Sequence, residues 1–370
     1  MITEQVRLAD YTTLRLGGPA RQFVDATSED ELITAVRAAD AEAEPVLVLG
    51  GGSNLVVADE GFPGVVVLAG LRGVQFRAAG GTVDVTVAGG HDWDEFVQGC
   101  LAEGLSGVEC LSGIPGRAGA TPIQNVNAYG QDVADAITSV RAYDRLTDAV
   151  VEIPAADCGF GYRTSVFKRQ AEAAGRRAAL DPASATGRFV ILAVTFRLTA
   201  SPLSAPIRYG ELSRVLGAAE CDRVPLAAAR AAVLELRRGK GMVLAEDDPD
   251  TRSAGSFFTN PVVSAAQYGD LEARLAANGD SPVPHWPTEG GGVKLSAAWL
   301  IEHAGFTKGA RLPGDPAGAR ISTKHALALT NPGQATTASL IRLAREIRTG
   351  VLATFGVTLT NEPVLVGVEL

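Results

Sequence analysis

The sequence is poor in the residues that mark secreted, metal-binding and membrane-spanning proteins. Its 370 residues include four cysteines and four histidines, and neither set shows the CxxC or HExxH spacing of a metal site. The N-terminus has no basic start followed by an apolar core, and no apolar run approaches the roughly 20 residues of a membrane helix. We therefore expect a cytoplasmic protein with reduced cysteines, no metal centre and no membrane partner.

Positive charge is also scarce, and it is dispersed. The chain carries 33 Lys and Arg against 42 Asp and Glu, for a formal net charge of −9. This balance argues against nonspecific binding to nucleic acid or to an anionic membrane, because both need a positive field. Local arginines and lysines can still bind an anionic substrate within a pocket. The chain is long enough for two or three packing units.

The front half combines short strands with glycine-rich connections. Apolar or alternating segments predict strands at 45–49, 55–57, 64–68, 83–87 and 189–198. The spacing of apolar residues from Trp93 to Leu101 predicts a helix over 92–104. Residues 105–130 are so rich in Gly, Pro, Asn and Ser that we expect a loop with no helix.

The later part of the chain is richer in helices. Periodicity predicts helices at 222–241, 264–277, 296–304 and 335–356, followed by strands at 357–359 and 364–370. An alanine-rich stretch, 171–187, is interpreted as an exposed loop or insertion. The pattern as a whole predicts an α+β protein.

The segment LGGGSNLVV (49–57) places three glycines directly after an apolar strand. It is not a P-loop, because no Gly-Lys-Ser/Thr follows, and Leu55 stands where a dinucleotide fingerprint needs its third glycine. One interpretation is a tight connection between strands. The other is an unusual pyrophosphate cradle, because consecutive glycine N–H groups can bind an anion.

The segment SGIPGRAGATPIQNVNAYGQ (112–131) is a long loop stiffened by Pro115 and Pro122. Gln124, Asn125 and Asn127 add neutral hydrogen-bonding groups, a mixture that suits the edge of a large planar cofactor. Long ordered loops in compact domains are usually functional. We therefore interpret this segment as part of a binding site.

Three further residues have both an ordinary and a functional interpretation. Arg163, in GFGYRTSVFK, is either a surface arginine packed on Tyr162 or a guanidinium fork for a carboxylate or phosphate. Ser256, in AGSFFTNP, is either a turn serine or a general acid, because no base nearby would make it a nucleophile. Glu362 precedes Pro363, and a turn glutamate is its default interpretation.

Taken in order, six segments resemble the UDP-N-acetylenolpyruvoylglucosamine reductase family. They are LGGGSN, IPG…TPIQNVNAYG, GYRTSVFK, GSFFTNP, KHALALTN and NEPVLVG, and they extend over nearly the whole chain. The resemblance implies an FAD-binding fold of the vanillyl-alcohol oxidase/PCMH type, made of two α+β subdomains, plus a separate α+β substrate-binding domain. The implied divisions are 1–70 for the first subdomain, 71–205 with 357–370 for the second, and 206–356 for the substrate-binding domain.

The resemblance also implies a reaction. FAD would be bound, NADPH would reduce it, and UDP-N-acetylglucosamine enolpyruvate would then be reduced to UDP-N-acetylmuramate at the same site, a step towards peptidoglycan precursor. Ser256 would protonate the carbanion formed on the substrate, and Arg163 and Glu362 would stabilise its enolate. We infer that Glu362 is protonated when the enolate forms, since a carboxylate anion would repel it and burial favours the neutral acid.

Binding residues follow from the same resemblance. The FAD contacts would be Gly50, Gly51, Gly52, Ser53, Asn54, Ile114, Pro115, Gly116, Gly119, Ala120, Ile123, Gln124, Asn125, Ala128, Tyr129 and Gly130. The substrate contacts would be Tyr209, Lys240, Asn260 and His325. Tyr209 would belong to a lid that closes over the substrate, and Lys240 would contact the diphosphate unless it is simply a solvated helix end.

Two other functions remain open at this stage. An FAD-linked oxidase of a hydroxy acid or sugar alcohol would use the same front half, but it gives no reason for the GSFF segment or the terminal glutamate. A non-catalytic nucleotide-sugar-binding protein has no need of Ser256, Arg163 and Glu362 together. Oxygen consumption would favour the oxidase, and a protein without flavin would favour the binding protein.

Overall fold

The computed structural model describes residues 2–168, 186–288 and 290–370, so most of the expected 171–187 loop lies outside the described residues. The chain separates into two compact units. The first comprises Met1–Arg7, Pro19–Gly52 and Gly61–Val243, and the second comprises Leu8–Gly18, Ser53–Glu60 and Leu244–Leu370. This division groups 206–243 with the first unit and 357–370 with the second, unlike the three-part organisation expected from the sequence, which stays a prediction.

The strands and helices of the first unit lie mostly before residue 200. Its strands are β1 (Ile2–Arg7), β2 (Pro19–Ala26), β3 (Val46–Leu49), β5 (Phe62–Ala69), β6 (Val74–Ala79), β7 (Thr82–Ala88), β8 (Leu105–Ser106), β9 (Asn127–Ala128), β10 (Gln131–Asp132), β11 (Ile137–Asp144), β12 (Ala149–Pro154) and β13 (Phe189–Ala200). Its helices are α1 (Glu29–Ala41), α2 (Trp93–Ala102), α3 (Thr121–Gln124), α4 (Gly210–Leu216) and α5 (Leu226–Gly239).

The second unit contains the remaining elements. Its strands are β4 (Leu55–Val57), β14 (Ser253–Ser256), β15 (Val262–Val263), β16 (His285–Pro287), β17 (Val293–Leu295), β18 (Arg320–Ile321), β19 (Ala328–Thr330) and β20 (Val364–Val366). Its helices are α6 (Ala265–Asn278), α7 (Ala297–His303) and α8 (Thr337–Phe355).

A four-stranded sheet of order β1-β2-β5-β3 forms the first layer of the first unit. Strands β2, β5 and β3 are parallel, because α1 carries the chain from β2 back to the start of β3. Ser28 caps α1 by accepting a hydrogen bond from the N–H of Glu31 at 3.2 Å. The helix buries Leu32 and Val36, and these pack with the apolar side chains of β3 and β5.

A second sheet of the same unit is antiparallel, with the order β12-β11-β13-β7-β6 and β8 added beside β13. Helix α2 starts after Asp92, whose side chain caps the N–H groups of Asp94 and Glu95. The rings of Trp93, Phe96 and Phe196 pack together with centroids 5.2–5.7 Å apart. This aromatic core fixes the start of α2, and the glycine-rich segment after residue 112 is bonded to that start.

The second unit is built on short strand pairings and three helices. Strands β14, β19 and β18 form one antiparallel sheet, β15, β17 and β16 form another, and β4 pairs in parallel with β20. Its core contains the buried side chains of Phe257, Leu300 and Ile347. The amphipathic helix α8 ends at Gly356, which takes the left-handed conformation that favours glycine.

The structure corrects four details of the sequence interpretation. The expected strand at 357–359 is wrong, and the strand expected at 364–370 is limited to Val364–Val366. The expected absence of a helix in 105–130 is also wrong: α3 forms one turn there, because Pro122 is tolerated in a first helical turn and Asn125 ends it in the left-handed conformation. The helix expected at 222–241 begins only at Leu226, after Pro225.

The cysteines are packing or surface residues in this structure. All four are free thiols, and Cys221 is exposed whereas the other three are buried. Burial raises the pKa of Cys100 and of Cys110 to about 12, which keeps both thiols protonated. Within the described ranges, no helix is long and apolar enough to cross a membrane, and no cluster of metal-ligating side chains is present.

Candidate active site

The glycine loop connects β3 to β4 and presents unused backbone donors. Among the described residues, no N–H from Gly50 to Asn54 donates a hydrogen bond. A Cβ on Gly51 would lie 2.6 Å from Cα of Gly116, so the two loops meet backbone to backbone. Consecutive free N–H groups beside such a close approach fit an anionic group such as a dinucleotide diphosphate.

The 112–130 segment is bonded to the start of α2. The N–H of Gly113 donates to Asp94 Oδ1 at 2.6 Å, and the carbonyl of Gly116 accepts from the N–H of Trp93 at 3.1 Å. A Cβ on Gly119 would lie 2.9 Å from the backbone of Gly89, so this contact also needs glycine. The segment is therefore an ordered loop held against the aromatic core.

Asp94 also links the segment to α5. Arg230 donates two hydrogen bonds of 2.7 Å to the two oxygens of Asp94. Burial acts to raise the pKa of Asp94, but the hydrogen bonds from Arg230 and Gly113 outweigh it, so the net pKa is lowered. Asp94 is thus a charged anchor between the loop and the helix.

Arg163 lies at the corner of a tight turn. Gly161 and Thr164 close the turn through two mutual backbone hydrogen bonds of 3.0 and 3.2 Å. Arg163 has a φ of +51°, a strained conformation for a residue that is not glycine. Such strain at a half-buried arginine is more typical of a functional site than of a solvated surface.

The Arg163 turn is held directly by the 112–130 segment. Asn125 Nδ2 donates to the carbonyl of Gly161 at 3.0 Å, and Ser165 Oγ donates to the carbonyl of Ile123 at 2.8 Å. Lys168 Nζ donates to Gln124 Oε1 at 3.1 Å and to the carbonyl of Arg163 at 3.2 Å. The expected cofactor segment and the expected catalytic arginine therefore form one bonded assembly.

In the second unit, the structure brings Ser256 and Glu362 onto adjacent chain segments. Ser256 ends β14, and the carbonyl of the next residue, Phe257, accepts from the N–H of Glu362 at 2.9 Å. Asn54 joins this group, since its Nδ2 donates to the carbonyl of Glu362 at 3.4 Å and its own carbonyl accepts from Val364 N–H at 2.9 Å. Three residues far apart in sequence thus meet in one place.

His325 and Asn260 lie in the same unit. His325 is in the turn before β19, where Ser322 Oγ accepts from its N–H at 3.3 Å. Strand β19 then pairs with β14, with Ala328 opposite Ser256. Asn260 uses its side-chain oxygen to accept from the N–H of Ala297 at 2.9 Å, which holds it at the start of α7.

Lys240 and Tyr209 meet at Tyr129 in the first unit. Lys240 Nζ lies 2.6 Å from Glu211 Oε2 and 5.6 Å from the centroid of the Tyr129 ring. The ring of Tyr209 contacts the same tyrosine edge-on, with centroids 5.4 Å apart. Burial raises the pKa of Tyr129 to about 12, so its hydroxyl stays protonated. Lys240 is therefore more than a solvated helix end.

The sequence interpretation missed Arg237, one turn before Lys240. Its side chain is half-buried, loss of contact with water lowers its pKa to about 10, and Nη2 donates to the carbonyl of Met242 at 2.8 Å. Among the described residues its Nε has no hydrogen-bond partner. The spacing of three residues between Arg237 and Lys240 could have indicated Arg237, since residues at this spacing share a helix face. Both residues also suit the basic final turn of a helix, and this ordinary interpretation made Arg237 easy to overlook.

Sequence comparisons give the family. Residues 20–154 match a family model for an FAD binding domain, and residues 247–366 match the C-terminal domain of UDP-N-acetylenolpyruvoylglucosamine reductase. Proteins of that name from Thermobifida fusca and Salinispora arenicola are each 55% identical to this chain over 99% of its length, covering 98% and 96% of those proteins. The chain belongs to the UDP-N-acetylenolpyruvoylglucosamine reductase family.

A solved structure agrees with this assignment. The family's reductase from Thermus caldophilus is 27% identical, covers 99% of both chains and has a TM-score of 0.62. The expected fold class, an α+β protein with an FAD-binding fold of the vanillyl-alcohol oxidase type and a further α+β part, is confirmed. Arg163, Tyr209 and Lys240 lie between the two matched ranges, so their roles depend on the whole-chain resemblance.

Proposed function

We propose that this chain reduces the enolpyruvyl ether of UDP-N-acetylglucosamine to UDP-N-acetylmuramate, with NADPH as electron donor and FAD as bound cofactor. The observation that carries the proposal is the pairing of the Ser256 and Glu362 segments within a chain of this family. NADPH and the UDP-sugar use one site in turn. The reaction supplies peptidoglycan precursor in the cytoplasm, where both soluble substrates would be available.

FAD fits the residues of the first unit. The free N–H groups from Gly50 onward would hold its diphosphate, and the 112–130 segment would line the flavin and adenosine. When bound, FAD supplies the two-electron chemistry that connects NADPH to the enolpyruvyl group. Within this segment Asn125 is already bonded to Gly161 of the Arg163 turn and Gln124 to Lys168, so the lining is preorganised.

Ser256 is the proposed proton donor. Addition of hydride to the methylene carbon of the enolpyruvyl group leaves a carbanion beside the carboxylate, which is basic enough to take a proton from a hydroxyl. Ser256 is partly buried, and its strand is fixed by pairing with Ala328. Strand pairing therefore fixes the backbone that carries the hydroxyl.

Arg163 and Glu362 are proposed to stabilise the enolate. The guanidinium of Arg163 offers fixed donors to a carboxylate whose negative charge grows during the reaction. Glu362 donates a hydrogen bond in its protonated form, since an ionised carboxylate would repel the enolate. A pH–rate profile for Glu362→Gln identical to that of the wild type would remove the basis for this role.

Four residues are proposed to bind the substrate. Lys240 contacts the diphosphate and exchanges its ion pair with Glu211 for it. Tyr209, at the start of α4, belongs to a lid that excludes water from the enolate. Asn260 and His325 are the other two proposed substrate contacts. We also retain the three-part domain organisation, with the last residues counted with the cofactor-binding part, as a proposal.

An anaerobic titration followed by visible absorbance tests the proposed function. NADPH should bleach the flavin band of the purified chain, and the enolpyruvyl sugar should then restore it without oxygen. Bleaching with no recovery would mean another electron acceptor, as in an FAD-linked oxidase. A colourless protein that takes up no added FAD would refute the flavin-dependent function and favour a binding protein.

A further inference from the structure

Arg117 is the charged residue of the 112–130 segment, in which every other side chain is neutral. It directly follows Gly116, where the segment meets the backbone of Gly51. The arginine stem packs beside the same loop: a Cβ on Gly50 would lie 3.6 Å from Cγ of Arg117 and 3.7 Å from its Cβ. A positive side chain thus stands beside backbone donors that have no acceptor within the described chain.

The guanidinium of Arg117 is only loosely bound. Its Nη1 lies 3.4 Å from Asp92 Oδ2, and among the described residues this is its one hydrogen-bond partner. The other oxygen of Asp92 is used to cap α2, where it accepts from Asp94 N–H at 3.0 Å and Glu95 N–H at 3.2 Å. About a quarter of the side chain, 26%, is exposed, so a ligand can reach its remaining donors.

The electrostatic surroundings favour an added anion. Burial lowers the pKa of Arg117, and the positive charge of Arg72 lowers it further, whereas Asp92 and Glu95 act in the opposite direction. An arginine that is partly removed from water and faces another arginine gains when a further negative group approaches. A diphosphate carries two such charges and accepts hydrogen bonds in the planar arrangement that a guanidinium offers.

We propose that Arg117 binds the diphosphate of FAD, together with the backbone N–H groups of Gly50–Gly52. This inference rests on the proposed function, because it takes FAD to be the cofactor. The side chain thereby adds a charge-dependent contribution that separates FAD from flavins without a diphosphate. The glycine loop by itself can supply only neutral donors.

Titration of the full chain with FAD and with riboflavin, after removal of its bound flavin, tests this role through flavin fluorescence. Arg117→Gln should weaken FAD binding by about 10- to 100-fold, the effect of losing a charge-assisted hydrogen bond. Riboflavin binding should be unchanged, because riboflavin has no diphosphate. High salt should weaken FAD binding to the wild type more than to Arg117→Gln.

Three matched variants separate charge from structure. Arg77→Gln removes an exposed arginine on β6, so it changes the net charge equally and should leave FAD binding unaltered. Arg117→Lys keeps the charge and should recover part of the affinity. Asp92→Asn keeps an acceptor for the α2 cap but removes the competing carboxylate, and should tighten FAD binding by about two- to fivefold.

Equal weakening of FAD and riboflavin by Arg117→Gln would overturn the inference, because Arg117 would then only support the loop. Weakening by Asp92→Asn as large as that by Arg117→Gln would overturn it in the same way, since the ion pair itself would be the important contact. A wild-type chain that takes up no FAD would instead refute the proposed function. Circular dichroism of each variant distinguishes loss of FAD binding from loss of folding.

Discussion

The first unit presents its candidate residues on loops that touch backbone to backbone, whereas the second unit presents Ser256 and Glu362 on paired chain segments. At Gly51 and Gly119 there is no space for a side chain. Ser256 instead lies opposite Ala328 where β14 pairs with β19, and the N–H of Glu362 donates to the carbonyl of Phe257, so neighbouring segments hold the backbone at both residues. The two sets of residues should therefore respond differently to substitution.

The expected difference lies in what a substitution changes: the position of the backbone in the loops, and the reactive side chain on the paired segments. In the loops, adding a single methyl group should displace the backbone and with it the cofactor's binding surface. On the paired segments, removing a reactive group should leave the surface intact and affect only the chemical step. Three experiments test this comparison.

The largest effect is expected from Ser256→Ala. Loss of a general acid should reduce the rate of the step that consumes the enolpyruvyl sugar by about 10²- to 10⁴-fold. FAD affinity and bleaching of the flavin band by NADPH should stay at wild-type values, because both depend on other residues. Stopped-flow absorbance measures the two half-reactions separately, and a variant that also lost FAD would contradict the separation of roles.

A smaller but different effect is expected from Gly51→Ala. Its Cβ would lie 2.6 Å from the backbone of Gly116, which cannot rotate away, so one loop must move. Displacing the free N–H groups should weaken FAD binding by about 100-fold, measured by fluorescence titration.

Gly99→Ala is the matched control for that experiment. Gly99 lies within α2, and an added Cβ would meet no atom within 4 Å. FAD binding should be unchanged, and stability should rise slightly because alanine favours the helix. Unaltered FAD binding in Gly51→Ala would show that the close contact of the two loops is not needed for the cofactor.

The smallest effect should come from Asp94→Asn, which weakens the link between the 112–130 segment and α5. The pKa of Asp94 is lowered in the folded protein, so its ion pair with Arg230 contributes stability above the ordinary aspartate pKa of 3.8 and loses it as the pH falls through the lowered value. At neutral pH the variant should lose about 1–3 kcal/mol of unfolding free energy. Its stability should also depend less on pH in the acid range.

Urea unfolding across this pH range measures the effect. Asp84→Asn provides the control, since the Asp84–Arg197 pair lies at the exposed surface and its loss should change stability little. A loss at neutral pH that does not diminish at acid pH would mean that Asp94 acts through packing or its neutral hydrogen bonds, and not through its charge.

The sequence alone indicated the family, the α+β class and the positions of most strands and helices. This was possible because the GGGSN, IPG and GSFF segments depend on local backbone properties. Glycine permits a positive φ or a close approach of another backbone, and proline restricts φ. The same local logic failed at 357–359, where the apolar pattern of a strand is present but the chain continues to Thr360 before it pairs, with the N–H of Thr259. Pairing partners are not a local property.

Only the tertiary structure showed which distant residues meet. Ser256 and Glu362 are 106 positions apart, and their segments are joined by the hydrogen bond from the N–H of Glu362 to the carbonyl of Phe257, which no local pattern encodes. The sequence did not show that Arg237 is half-buried and influenced by Tyr129, or that the stem of Arg117 packs beside Gly50. The physical reason is the same in each case. Burial and charge environment arise from packing between segments that are distant in sequence, whereas glycine and proline affect the conformation of the backbone at their own positions.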